Sequence, residues 1–120
     1  MRAVSVTLRC RSYSKMKRFY TRTLGWDLTE EGKGYCYIDA GGLLLGLRET
    51  RSGDWDAPTG NSTYLDVEVD DPITLRSLLA ERKVPILREE VTPEAIFINI
   101  ADPEGNLVGF FKSTDTIRRR

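Results

Sequence analysis

The side chains able to do chemistry in this chain are carboxylates, arginines, tyrosines and two thiols, because it contains no histidine. That absence removes the commonest general base and the commonest metal ligand together. Histidine-based triads, histidine zinc sites and the two-histidine iron triad are all excluded. Asp66, Glu68 and Asp70 alternate along one stretch, and Arg9 and Arg11 along another. In a strand, alternate residues share a face. Hard cations accept carboxylates, but alternate strand residues lie ~6.6 Å apart, so three in a row seldom converge on one ion. Salt bridging is the simpler use. Cys10 and Cys36 form no CxxC pair and sit in apolar, strand-like contexts, which is the pattern of buried reduced thiols. Trp55 is the one large apolar residue in a polar stretch. Such an aromatic either stacks on a ligand or packs its loop onto the domain or a partner.

These residues must be positioned by regular elements. At 120 residues the chain suits one domain with a real core, and 40% apolar and 30% charged residues suit a globular protein. Val4, Val6, Leu8 and Cys10 alternate with Ser5, Thr7, Arg9 and Arg11, which predicts a first strand over residues 3–11. Met16, Phe19, Tyr20 and Leu24 lie at helical spacing, so a helix over 14–23 follows, ended by Gly25. Strands over 26–29, 34–40 and 43–48 come next, the last two joined by a Gly41-Gly42 turn. The polar stretch 49–61 is the candidate linker. A second series then begins: a strand over 64–70, a helix capped by Asp71 and opened by Pro72, and strands over 85–90, 95–101 and 106–112. Leu75, Leu78, Leu79 and Arg82 form the inward stripe of that helix.

The second half therefore repeats the first. Ala40 before the first turn matches Ala101, 61 positions later; Gly46 and Gly109 in the closing strands are 63 apart because the second turn is two residues longer. This predicts an α+β chain of two βαβββ modules, over 3–48 and 62–112, with a frayed basic tail over 113–120. A ferredoxin-like βαββαβ fold with added strands is the alternative, and the strand count and repeat argue against it.

Two segments carry a family likeness. One is Phe19-Tyr20-Thr21-Arg22-Thr23-Leu24-Gly25, an FYxxxLG pattern. The other is Asp102-Pro103-Glu104-Gly105-Asn106, a DPxGN turn before the last strand. With Val69-Asp70-Asp71, they make the chain resemble the vicinal oxygen chelate superfamily, which holds glyoxalase I, extradiol dioxygenases, and fosfomycin- and bleomycin-resistance proteins. The likeness runs from about Ala3 to Lys112. It implies paired βαβββ modules whose curved mixed sheets form a cup, often completed in a homodimer. The motif residues themselves read as core and turn chemistry: Phe19 and Tyr20 face inward, Gly25 ends the helix, and Pro103 and Gly105 shape a turn.

Metal-dependent members of that superfamily place a ligand on the first strand and another on the last strand of each module. The matching positions here are Ser5 and Gly46, then Tyr64 and Gly109. None is an ordinary divalent-metal ligand, so no metal and no cofactor is expected. The expectation is a metal-free cup that binds or sequesters a small polar or aromatic molecule, an antibiotic or a metabolite. Its candidate ligand-binding residues are Thr7, Arg9, Arg48, Trp55, Tyr64, Asp66, Glu68 and Phe111. Tyr35 and Tyr37 share a strand face and are further candidates. An enzyme of the same superfamily, of lyase, isomerase or dioxygenase type, is the alternative, drawing on Asp66, Glu68, Tyr64 or Cys36 as acid or base. A carboxylate buried without a cation would favour it. A protein-interaction module is the third reading.

Charge bears on partners. Eighteen basic residues balance eighteen acidic ones, so no global field favours nucleic acid or a membrane surface. The balance hides a split: residues 1–60 hold 10 Lys+Arg against 7 Asp+Glu, and residues 61–120 hold 8 against 11. Arg9 and Arg11 either pair with Asp66 and Glu68 or line a pocket for a polar ligand. Arginines in the cup disfavour a cationic ligand such as bleomycin and suit a carboxylate or phosphate. No apolar run approaches the ~18 residues of a membrane span, and the N-terminus lacks a signal-like apolar stretch, so a cytoplasmic protein is expected; a homodimer with a small-molecule ligand is what the resemblance implies.

Overall fold

The computed structural model describes residues 2–50, 63–91 and 95–113. Two compact units emerge. The first comprises residues up to 63 together with 102–105, and the second comprises 64–101 with 106 onward.

In the first unit, alternation and turn residues build β1 (Ser5–Cys10), β2 (Asp27–Gly32), β3 (Tyr35–Asp39) and β4 (Leu44–Glu49), with α1 (Tyr13–Arg18) between β1 and β2. The sheet order is β1-β4-β3-β2. β1 runs parallel to β4 and the other neighbours are antiparallel. A parallel pair needs a long crossover, and the segment holding α1 is part of it. Leu8, Cys10, Cys36, Ile38, Leu45 and Leu47 are buried, as are Met16, Phe19 and Tyr20. The dry face of β1 is shorter than its alternation predicts, since Val4 and Val6 remain exposed.

The predicted helix over 14–23 is helical in two registers. After α1 the chain widens into a π-helical turn at Phe19–Thr23, closed by Leu24 N–H donating to the Phe19 carbonyl at 2.9 Å. Phe19 and Tyr20 are both buried, edge to face at 5.1 Å. Gly25 stops the helix at φ 79°, a conformation that costs a residue with a Cβ. Trp26 N–H then reaches back to the Tyr20 carbonyl at 3.0 Å.

The two motif segments meet in this unit. The Tyr20 hydroxyl donates to Asp102 Oδ2 at 2.7 Å, and both residues are buried. Asp102 Oδ1 accepts from Glu104 N–H at 2.9 Å, shaping the turn. The Glu104 carboxylate accepts from Arg11 N–H and Ser12 N–H, each at 2.9 Å, where the chain enters α1. Burial raises the Tyr20 hydroxyl pKa, and the Asp102 charge and hydrogen bond raise it further.

The second unit repeats the plan: β5 (Tyr64–Glu68), α2 (Pro72–Glu81), β6 (Arg88–Val91), β7 (Ala95–Ala101) and β8 (Leu107–Ser113), in the order β5-β8-β7-β6. β5 is parallel to β8. Asp71 caps α2, accepting from Thr74 N–H at 3.1 Å and from the Thr74 hydroxyl at 2.6 Å, with Pro72 at the first helical position. The core holds Leu65, Leu79, Ile98, Ile100, Val108 and Phe110. Of the predicted inward stripe of α2, Leu79 is buried and Leu75 and Leu78 half-buried, but Arg82 is exposed. It sits at the C-cap, where the helix has already ended. The candidate linker falls mainly on residues 51–62 and lies outside the described residues, as does the tail beyond 113. Among the described residues no helix is long and apolar enough to cross a membrane.

Candidate functional site

Strand pairing arranges the face of the first sheet that carries Thr7 into rows. Arg9, Arg48 and Tyr35 are register partners across β1, β4 and β3. Thr7, Gly46, Tyr37 and Glu30 form the next row, reaching β2. Ser5, Leu44 and Asp39 form the third. Because alternate strand residues share a face, these side chains lie opposite Leu8, Cys36, Ile38, Leu45 and Leu47 of the core.

A cavity of about 530 Å³ opens on this face, lined by Thr7, Glu30, Lys33, Tyr35, Tyr37, Gly46 and Arg48 among others. Tyr35 and Tyr37 form one wall, their rings edge to face at 6.2 Å. A second cavity of about 380 Å³, lined by Val4, Ser5, Thr29 and Leu44, shares Glu30 and Tyr37 with the first. The floor depends on glycine. A Cβ at Gly46 would lie 2.5 Å from Thr7 Oγ1 and 3.0 Å from the Tyr37 ring.

The second sheet has matching rows of different character. Glu68, Phe111, Phe97 and Glu90 are partners, then Asp66, Gly109, Asn99 and Arg88, then Tyr64, Leu107 and Ala101. Phe97 and Phe111 stack at 6.5 Å. The Tyr64 hydroxyl donates to Asn99 Oδ1 at 3.0 Å and its ring lies over Gly109, where a Cβ would meet it at 2.7 Å. The cavity lined by Tyr64, Phe97, Asn99, Arg88 and Glu90 measures about 150 Å³.

The structure thus brings Thr7, Arg9, Gly46 and Arg48 together on one sheet, and Tyr64, Asp66, Glu68, Gly109 and Phe111 together on the other. Trp55 lies outside the described residues. Tyr35 and Tyr37 are the further candidates the sequence offered, and Glu30 and Lys33 are lining residues that sequence reasoning missed. The alternation of Tyr35 and Tyr37 with Cys36 and Ile38 marks a two-faced strand, but only its pairing with β4 shows which face meets Thr7 and Arg48.

The four metal-equivalent positions do not offer a donor set. The repeat is real in the register: Ser5 pairs with Leu44 as Tyr64 pairs with Leu107, and Thr7 with Gly46 as Asp66 with Gly109. Gly46 and Gly109 bring no ligating side chain, and the space above each is filled by neighbours. Tyr64 directs its hydroxyl to Asn99. Among the described residues no group of three His, Cys, Asp or Glu side chains converges to hold an ion. A metal in the position used by metal-dependent relatives does not fit these residues.

The acid–base candidates are equally constrained. Asp66 and Glu68 are exposed on β5 rather than enclosed in a cavity. Burial pushes the Cys10 thiol up to about 12, aided by the Glu104 charge. Burial also raises Cys36. Neither thiol is a ready nucleophile. Among the described residues the buried carboxylate is Asp102, and its oxygens are engaged by Tyr20 and Glu104 in the turn.

Two βαβββ units in tandem, each with a parallel first-to-last strand pair closing a four-stranded mixed sheet, define a small α+β class with open sheet faces. Comparison with known proteins agrees. The chain belongs to the Glyoxalase/Bleomycin resistance protein/Dioxygenase superfamily, whose family model matches residues 2–110. Solved structures share the fold. An antibiotic binding protein from Streptomyces is 23% identical, with a TM-score of 0.75, covering 95% of this chain and 98% of its own. A virulence protein from Salmonella typhimurium is 22% identical, with a TM-score of 0.76 and coverage of 95% and 98%. A lactoylglutathione lyase from Agrobacterium tumefaciens is 15% identical, with a TM-score of 0.74 and coverage of 92% and 92%. At these identities the likeness is one of fold. No curated protein matches the sequence.

Proposed function

We propose that this chain binds a small molecule without a metal, on the open face of its first sheet. The observation that carries the reading is the floor at Gly46. The position that would supply a ligating carboxylate is a glycine, closed over by Thr7 and Tyr37, beside a cavity of about 530 Å³ walled by two tyrosines. A volume of that size lies within the usual ~300–1,000 Å³ of small-molecule sites. Binding or sequestration needs only shape, aromatic surface and a few polar groups, all of which this face has. The Streptomyces antibiotic binding protein supports the reading, since its fold is the same.

The test is a thermal-shift screen of aromatic antibiotics and metabolites, run in parallel with chelator and with added zinc, manganese or magnesium. Ligands should raise the melting temperature equally in each condition, by mass action on the folded state. Stabilisation that appears only with a divalent metal overturns the proposal.

A further inference from the structure

Resting on the reading of this face as the ligand site, we propose that it selects a planar aromatic carboxylate. The rows of the first sheet separate two kinds of contact. Arg9 and Arg48 are direct register partners on neighbouring strands. Like charges placed opposite one another in a sheet repel, and an anion held at Arg48 offsets that repulsion. Arg48 is exposed and has no ion-pair partner among the described residues. Its guanidinium is a planar fork of donors whose geometry matches a carboxylate. Lys33, in the β2–β3 turn, lines the same cavity. Glu30 is the acidic residue there, and it sits one row away, beside Tyr37.

The second contact is flat. Tyr35 is the register partner of Arg48, and its ring meets that of Tyr37 edge to face. A ligand ring laid against this wall has the offset or edge contacts aromatic pairs favour. Its carboxylate then points along the row toward Arg48, and the Thr7 hydroxyl over Gly46 is placed to bond a polar substituent. The equivalent row of the second sheet carries Glu68, Phe111, Phe97 and Glu90. The cationic row therefore belongs to this sheet and is not a property of the repeat.

Titration calorimetry on the full chain with naphthoate, naphthylmethanol and naphthylmethylamine separates the outcomes, because the three probes share a ring and differ in charge. Naphthoate should bind, and bind more tightly than the other two. Arg48→Gln should weaken naphthoate about tenfold or more and the alcohol much less, since the charge-assisted pair is made only by the carboxylate. Tyr37→Ala should weaken both. A melt of each variant checks that the fold survives; Arg48 is exposed, and its replacement should hold or slightly raise the melting temperature, since it removes the like-charge pair with Arg9. Equal or tighter binding of the alcohol or the amine overturns the carboxylate selection, and Tyr37→Ala sensitivity of that binding shows that the face still binds ligands. Naphthoate affinity untouched by both substitutions overturns the selection and the placement together. If none of the probes binds, the selection fails, and the metal-controlled screen decides the broader reading separately.

Discussion

Replacing Tyr20 with Phe tests the contact that joins the two motif segments. The substitution deletes one oxygen, leaves the ring packed between Phe19 and Trp26, and removes a 2.7 Å hydrogen bond to Asp102. Asp102 is 4% exposed and Tyr20 is 0% exposed, so water cannot readily replace the donor. A hydrogen bond to a charged group contributes ~1.5–3 kcal/mol, and a cost of about 2 kcal/mol is expected here. With an unfolding entropy near ~2.1 cal/mol/K per residue over 120 residues, the melting temperature should fall by about 8 °C. Asp102→Ala should cost more, because it also frees Glu104 N–H and leaves the Tyr20 hydroxyl buried without its acceptor. The double variant should cost clearly less than the two added together, since both remove the same bond. The assay is thermal and denaturant unfolding followed by circular dichroism. An alkaline series adds a second check. The folded pKa of Tyr20 is raised by burial first and by Asp102 second, so its stabilisation is complete below the unfolded value of about 10 and declines above it. The stability gap between wild type and Tyr20→Phe should therefore narrow above about pH 10. A Tyr20→Phe melting temperature within about 2 °C of wild type, the range of a neutral surface change, would refute the reasoning, as would strict additivity of the pair.

Gly46→Ala should destabilise by about 1–3 kcal/mol, because its Cβ would overlap Thr7 and press on Tyr37. Gly109→Ala should cost less: its closest neighbour is the tip of Tyr64, a 51% exposed side chain that can give up its hydrogen bond to Asn99 for water; equal melting temperatures for the two variants would contradict this. Asp71 has its pKa lowered, first by the hydrogen bonds from Thr74, so its capping of α2 is fully present above the unfolded value of about 4 and is lost as pH falls through the lower folded value. The melting-temperature advantage of wild type over Asp71→Asn should shrink between neutral pH and about pH 3, and a constant gap across that range would remove the carboxylate from the account.

Much of the fold was legible because its determinants are local. Alternation in β1 and β5, Gly25 at the end of the first helix, and Asp71-Pro72 at the start of the second each act within a few residues. The closing strands were legible through the repeat, and the register bears this out by pairing Gly46 and Gly109 with equivalent first-strand positions. The π-helical turn was not, since its i to i+5 bonding uses the same residue types as an α-helix. Arg82 was misplaced because periodicity does not reveal where a helix stops.

The candidate site divides the same way. By itself the sequence determined which donors are missing: it holds no histidine, and glycine stands at positions 46 and 109. Residue identity decides that, whatever the fold. Tertiary structure alone decided what is present. Tyr20 meets Asp102 across 82 positions of chain, and Tyr35, Tyr37, Arg48 and Thr7 share a cavity only because β3 pairs with β4 and β4 with β1 in one register. A shift of one residue would turn the tyrosines into the core. The pairing that prevents it is set by the burial of the opposite face, in contacts that no local pattern contains.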